Sequence, residues 1–356
     1  MMRAPSFRWH AATSRADAAR ALAAGGPRAL LLGGGTDVVP AIKRRQYVPE
    51  LLISLRQVAE LGRMEPHGAS LRIGAGLHLA TLAADDRLSV GHTALRRAAG
   101  VVASPHIRNV ATLGGNLCLD TRCNYYDQTL EWRQAIDYCM KAPGPDGVAR
   151  QRPDGGVCWV ALSSPKCKAV SSTDGAPGLM VLGARVVLES VAGRRELPVE
   201  ELYADDGMAY LTKRRDEILT AVRLPARTGW KSTYWKLRRR GSFDFPVLGV
   251  AAAVRLGKGG VVEEARVALG GVASRPVLLP AAAELVGRPL TDDAIAAFEH
   301  SAGKQARPLD NTDFDLHWRK RVARSFLRGV LQELRGDDMQ AQGPLVRRAT
   351  ALIPVL

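Results

Sequence analysis

A chain of 356 residues is longer than one ordinary hydrophobic core can organise, so two or three domains are expected. Its 46% apolar and 24% charged content is that of a soluble globular protein, and no apolar run is long enough to span a bilayer. Lys and Arg exceed Asp and Glu by 15, but these charges are spread out and no nucleic-acid motif accompanies them, so nucleic acid is not an expected partner.

The opening MMRAPSFRWHAATSR lacks the apolar core and cleavage site of a signal peptide, and a cytoplasmic location is expected. Thr13 or Ser14 can cap a helix through ADAARALAA, which Gly25 and Gly26 end. RALLL, residues 28–32, reads as a short buried strand that delivers the chain to Gly33, Gly34, Gly35, Thr36 and Asp37. Helix, strand and glycine turn in this order suit a phosphate, although Val38 stands where the dinucleotide fingerprint needs a third glycine. Taken alone, this GGGTD is an ordinary tight turn.

Strands are expected at 51–55 and 70–74, with a short helical piece at 58–61 between them and helices at 79–84 and 93–102. This alternation predicts a mixed α/β unit around a partly parallel sheet. Arg108 and Asn109 then lead into ATLGGN, where Thr112, Gly114, Gly115 and Asn116 supply backbone N–H groups and short polar side chains of the kind that form an anion nest. His106 reads as a structural turn histidine.

From 120 to about 170 the hydrophobic period is lost, and a segment this long needs something to hold it. All five cysteines fall between Cys118 and Cys167, which is too uneven for a disulfide framework. Cys123, Cys139, Cys158 and Cys167 follow the spacing C-x15-C-x18-C-x8-C. Buried thiols, zinc and iron-sulfur ligation are the readings open to them. The irregular setting disfavours the first, and the absence of close CxxC-type pairs favours iron-sulfur over zinc. Cys118, inside the glycine stretch, reads as a packed thiol.

Regular structure is expected to resume with 171–174, a helix-like 176–182, and a hairpin of 184–190 with 195–198. A strand at 217–224 ends at Pro225. Strands at 232–238, 247–255 and 261–268 and helices at 281–286, 292–302 and 317–334 follow. They make a separate α+β domain, and after Arg335 the chain reads as an irregular tail whose apolar end, ALIPVL, suits docking on a partner. By themselves Asp174 reads as a helix cap and Lys236 as one charge in a basic run.

Taken together, LLGGGTDVVP, SPHIRNVATLGGNL, TDGAPGLMVLGARV, YWKLRRR with GVAAAV, and ALGGVASRPVLLPAAAELVGRPL resemble the FAD-binding medium subunit of the molybdenum hydroxylases, the xanthine dehydrogenase family. The resemblance runs from about Phe7 to Leu334. It implies an α+β chain. A two-lobed FAD-binding domain of mixed α/β sheets would span 1–227, with a cysteine insert at about 120–170. A domain with a three-stranded antiparallel sheet and a helical bundle would span 228–335, and the tail 336–356. In this family both glycine loops wrap the FAD pyrophosphate and ribityl chain. That would put Gly33, Gly34, Gly35, Thr36, Asp37, Arg108, Asn109, Thr112, Gly114, Gly115 and Asn116 on the cofactor, with Asp174 and Lys236 in later flavin-proximal segments.

The insert, opening with NLCLDTRCNYYDQ, is similar to that of 4-hydroxybenzoyl-CoA reductase β subunits, which binds an additional 4Fe-4S cluster. This likeness implies that Cys123, Cys139, Cys158 and Cys167 are the ligands and Cys118 is not, although the spacer from Cys139 to Cys158 is longer here. The implied function is electron relay from a ferredoxin-like donor through the 4Fe-4S cluster and FAD to a 2Fe-2S small subunit and a molybdopterin-binding large subunit, in a dimer of heterotrimers. The implied chemistry is reductive dehydroxylation of an aromatic acyl-CoA, with no catalytic residue in this chain. The alternatives are the flavoprotein subunit of an oxidative hydroxylase of the xanthine, aldehyde or CO dehydrogenase type, and a non-catalytic zinc-stabilised scaffold.

Overall fold

The computed structural model of the chain describes residues 2–142 and 157–341. Most of the spacer between Cys139 and Cys158, and the apolar end of the tail, lie outside the described residues.

The first lobe contains β1 (Arg8–Ala11), α1 (Arg15–Gly25), β2 (Ala29–Leu32), α2 (Val38–Lys43) and β3 (Leu51–Ser54), of which α1, β2 and β3 match the sequence reading and β1 and α2 add to it. Its three strands form a parallel sheet in the order β1-β3-β2. Ser14 is the residue that caps α1, its Oγ accepting from the Asp17 amide at 3.1 Å, and Gly26 at φ 60° closes it. β1 was not expected, because RWHA is half exposed and shows no apolar alternation.

The second lobe contains β4 (Met64–His67), β5 (Ser70–Gly74), α3 (Leu79–Ala84), α4 (Thr93–Gly100), α5 (Pro105–Arg108), α6 (Leu113–Leu117), α7 (Leu130–Ala135), α8 (Gly175–Val181), β6 (Arg185–Ser190), β7 (Gly193–Pro198) and β8 (Ile218–Pro225). Its five strands run β4-β5-β8-β6-β7, each pairing antiparallel. β4 escapes a sequence reading because its Pro66 demotes a strand pattern, and an edge is where a sheet tolerates proline. Residues 171–174, expected to be regular, are an irregular approach to α8.

The last part contains β9 (Trp230–Leu237), β10 (Leu248–Leu256), β11 (Val262–Gly270), β12 (Val277–Leu278), α9 (Asp292–Gly303) and α10 (Leu316–Arg335). The sheet has four strands, β12-β11-β10-β9, not three, since two-residue β12 is too short to show a period. Residues 280–285 form a 3-10 turn where an α-helix was expected.

This sheet is covered on both faces. Tyr234, Ala251 and Ala253 turn toward the core shared with α4 and α8. Trp235, Val250, Ala252 and Val254 turn toward Phe326, Leu327 and Val330 of α10. Double coverage explains why VAAAV reads as a continuous apolar run. α10 carries its buried residues on one stripe, Val322, Ala323, Phe326, Leu327, Val330, Leu331 and Leu334, each fully buried Leu or Phe contributing roughly 1.5–3 kcal/mol. Gly329 is required there, because a Cβ would lie 2.4 Å from the Trp235 ring. Among the described residues no helix is long and apolar enough to cross a membrane.

Candidate functional site: two glycine loops and a four-cysteine chamber

The first glycine loop, residues 33–37, joins β2 to α2, and the second, 112–116, forms the start of α6. The two loops touch. A Cβ on Gly34 would lie 1.9 Å from the Val110 carbonyl oxygen, and one on Gly33 would lie 2.8 Å from Thr112 Oγ1. Gly34 therefore lets backbone approach backbone, and Gly33 makes room for the Thr112 side chain. Gly35 has φ +74° and makes the turn into α2. Gly114 seats α6 on Ala75, donating its N–H to the Ala75 carbonyl at 2.7 Å.

Gly115 differs from them: it is exposed and meets only Thr112 Oγ1 at 3.0 Å. Thr112 Oγ1 accepts from the Gly115 amide at 3.1 Å as the cap of α6. Asn116 is buried, its Oδ1 accepting from Thr173 Oγ1 and the Gly175 amide, each at 2.9 Å. Its side chain thus ties the second loop to α8. Thr36 is half buried, and Asn109 and His106 are exposed.

Asp174 and Lys236 are brought together, which neither local sequence reading anticipates. Lys236 Nζ donates to Asp174 Oδ2 at 2.8 Å and to the Val101 carbonyl at 3.2 Å. Tyr234 Oη donates to Asp174 Oδ1 at 2.6 Å. Arg238 donates to the same Val101 carbonyl at 3.1 Å, and Arg108 to the neighbouring Val102 carbonyl at 2.7 Å. Burial pushes the pKa of Arg108 down, and the nearby Arg238 adds to the effect. A cationic corner between α5 and β9 results. Arg108 was singled out from sequence; Arg238 was missed, because nothing in LRRR separates one arginine from the next.

Cys123, Cys139, Cys158 and Cys167 line one chamber together with Tyr125, Tyr126, Met140, Lys141 and Trp159. The cavity between them is small, about 10 Å³. Cys118 is not among its walls. Burial pushes the Cys123 thiol up to about 12 and the Cys167 thiol to about 11, and raises Cys139 as well. Among the described residues no group of three or more His, Cys, Asp or Glu side chains is arranged to hold a metal ion.

Around this chamber lies a polar network that the sequence did not disclose. Lys141 Nζ donates to Asp120 Oδ1 and Thr121 Oγ1, each at 2.5 Å, and to the Gly207 carbonyl at 2.7 Å. All three ammonium protons are thereby used. Asp120 Oδ2 accepts from Tyr47 Oη at 2.5 Å and from Tyr126 Oη at 3.2 Å. Asp37, last in the first glycine loop, is ion-paired with Arg122.

Residues 5–227 match the family model described as the FAD binding domain in molybdopterin dehydrogenase. Residues 232–334 match the CO dehydrogenase flavoprotein C-terminal domain. Fold and sequence thus define a class, the FAD-binding subunits of oxidoreductase complexes. The chain is 31% identical over 309 residues to the aldehyde oxidoreductase FAD-binding subunit PaoB of Escherichia coli strain K12, covering 85% of this chain and 91% of that one. It is 26% identical over 331 residues to the carbon monoxide dehydrogenase medium chain of Hydrogenophaga pseudoflava, covering 92% and 96%. A solved carbon monoxide dehydrogenase from Hydrogenophaga pseudoflava, one lacking the Mo-pyranopterin moiety of its cofactor, has a chain of the same fold. Its TM-score is 0.75 at 24% identity, covering 94% of this chain and 98% of that one. The chain belongs to the FAD-binding medium subunits of the molybdenum hydroxylase family.

Proposed function

We propose that this chain is the electron-transfer flavoprotein subunit of a molybdenum hydroxylase complex and that Cys123, Cys139, Cys158 and Cys167 hold a 4Fe-4S cluster within it. The observation that carries the cluster reading is the convergence of these four cysteines, spread from position 123 to 167, on one chamber. Among the described residues its wall carries four thiols and no carboxylate or imidazole, and soft sulfur suits iron-sulfur or zinc. A single zinc would need sulfurs within about 3.8 Å of one another, from the usual Zn–S distance. Among the described residues no three such side chains are arranged to hold a metal ion, so the choice of cluster over zinc rests on the wide spacing of the four cysteines along the chain.

FAD is proposed to lie along the two glycine loops, as the family match to an FAD-binding domain supports. Gly115, exposed on α6, Thr36, Arg108 and Asn109 are the residues free to face it. Gly33, Gly34, Gly35, Gly114, Thr112 and Asn116 set the loops in place, and Asp37 closes the first. The buried Asp174–Lys236 pair backs the site from β9. When bound, FAD supplies conversion between one- and two-electron transfer, while this chain binds and orients it. The proposed division is an FAD-binding domain at 1–227, a second domain at 228–335 and a tail at 336–356.

The relatives' names place them in aldehyde, carbon monoxide and xanthine oxidation, and they favour an oxidative complex with molybdopterin and 2Fe-2S subunits. The second reading is reductive dehydroxylation of a 4-hydroxybenzoyl-CoA-like substrate, fed by a ferredoxin-like donor. It rests on the cysteine chamber, since an added one-electron centre gives a protein donor a place to deliver electrons. A dimer of heterotrimers in the cytoplasm is proposed for either. Mixing the purified complex with reduced ferredoxin, and separately with aldehyde, xanthine and aromatic acyl-CoA substrates, tests the direction. Substrate-driven flavin bleaching supports oxidation; ferredoxin-driven bleaching with loss of the phenolic hydroxyl supports reduction.

A further inference from the structure

The cysteine segment is fastened to the first glycine loop by side chains that the reading above leaves without a role. Arg122, immediately before Cys123, is buried and ion-paired with Asp37, with a second contact to Asp127 at 3.1 Å. Its backbone exchanges two 2.7 Å hydrogen bonds with Val170, just beyond Cys167. Arg122 thus sits at the neck where the segment leaves the fold and returns.

Further ties reach the turn after α2. Gln46 Nε2 donates to the Tyr126 carbonyl at 3.1 Å, and Tyr47 Oη to Asp120 at 2.5 Å. Arg133, fully buried, donates to the carbonyls of Arg44 and Arg45 at 3.0 and 3.1 Å. The segment's own buried apolar core is Cys123, Tyr126, Met140, Ala142, Cys158, Cys167 and Ala169. Three of these seven are chamber cysteines, so its order depends on what their sulfurs hold.

We propose that Arg122 is a positioning residue that makes FAD binding at the first glycine loop and filling of the four-cysteine chamber mutually dependent. This rests on the FAD-and-cluster reading. A filled chamber fixes Cys123 and Cys167, and with them the neck that presents the Arg122 guanidinium to Asp37. With Arg122 in place the Asp37 charge is balanced. Without it, Asp37 loses its partner at the end of the loop, and α2 loses the anchor at its start. Whatever the first ligand does to the second, the second does equally to the first.

The test measures FAD affinity of the full chain by quenching of flavin fluorescence, with iron present and after its removal by oxidation and chelation. Wild type is expected to bind FAD about ten-fold more weakly once iron is removed, within the usual range of coupling. Arg122→Met is expected to bind weakly in both states, with the ratio close to one, and Arg122→Lys to recover part of the ratio. Asp37→Asn breaks the same pair from the other side and serves if Arg122→Met does not fold; its ratio is also expected to fall toward one. An iron-replete wild type whose FAD affinity is unchanged by iron removal overturns the coupling alone, as does a full ratio retained in Arg122→Met. A chain that takes up no iron overturns the cluster reading and the coupling with it.

Discussion

Lys236 and Asp174 form an ion pair at 2.8 Å with side chains only 2% and 3% exposed, joining β9 to the approach of α8. Removing one partner leaves the other as an uncompensated buried charge. Lys236→Met is therefore expected to cost about 3–5 kcal/mol in urea unfolding. Asp174→Asn should destabilise in the same direction, and the double variant should cost less than the two added. A loss below about 1 kcal/mol for Lys236→Met, the value of an exposed pair, would show that this pair does not brace β9 against the approach of α8.

Gly34 and Gly115 should fail in different ways. Gly34→Ala puts a methyl 1.9 Å from the Val110 carbonyl oxygen, so the two loops must part, with an expected stability loss of about 1–3 kcal/mol and loss of flavin. Gly115 is exposed, and a Cβ there meets only a hydroxyl at 3.0 Å. Gly115→Val should melt near the wild-type temperature yet bind little FAD. Stoichiometric FAD in Gly115→Val would move the pyrophosphate away from α6.

Glu217 carries a pH dependence. Burial pushes its carboxyl up, but the Arg195 guanidinium, at 2.6 and 2.9 Å, and the Arg214 amide outweigh burial and hold it below its ordinary value. A depressed carboxyl contributes stability that is present above its unfolded pKa and lost as pH falls through the folded one. Glu217→Gln is expected to cost about 2 kcal/mol at pH 7, and the gap from wild type should close as pH drops below about 4. A gap that stays constant over that range would remove the ionised Glu217 from the balance.

Much of this arrangement is legible in the sequence, and the remainder is not for definite reasons. α1 shows its cap and its glycine stop, α10 its apolar stripe, and both glycine loops their composition. The four chamber cysteines are unusual enough in type and clustering to be picked out before any contact is known. Asp174 and Lys236 look ordinary because their partnership depends on strand β9 lying beside α8, which no local pattern encodes. Arg122, Gln46, Tyr47 and Arg133 are equally ordinary residue types, and only their contacts between the cysteine segment and the turns on either side of α2 give them a role. β12 and the 3-10 turn after it are too short to carry a period.

Electron delivery by an acidic carrier should be sensitive to salt. A formal net charge of +15 attracts such a partner over long range, and the attraction is screened within about 8 Å at physiological ionic strength. On the reductive reading, the rate at which reduced ferredoxin bleaches the assembled complex in stopped flow is expected to fall as salt is raised. A rate independent of salt would separate the charge from donor recognition.

The most direct measurement compares Cys158→Ser and Cys118→Ser with wild type by iron analysis, flavin content and low-temperature electron paramagnetic resonance after dithionite reduction. Wild type and Cys118→Ser should contain iron and give the signal of a reduced 4Fe-4S cluster, while Cys158→Ser should lose both and retain FAD when the flavin is supplied in excess. Equal iron in all three proteins, or zinc in place of iron in wild type, would contradict a cluster held by Cys123, Cys139, Cys158 and Cys167.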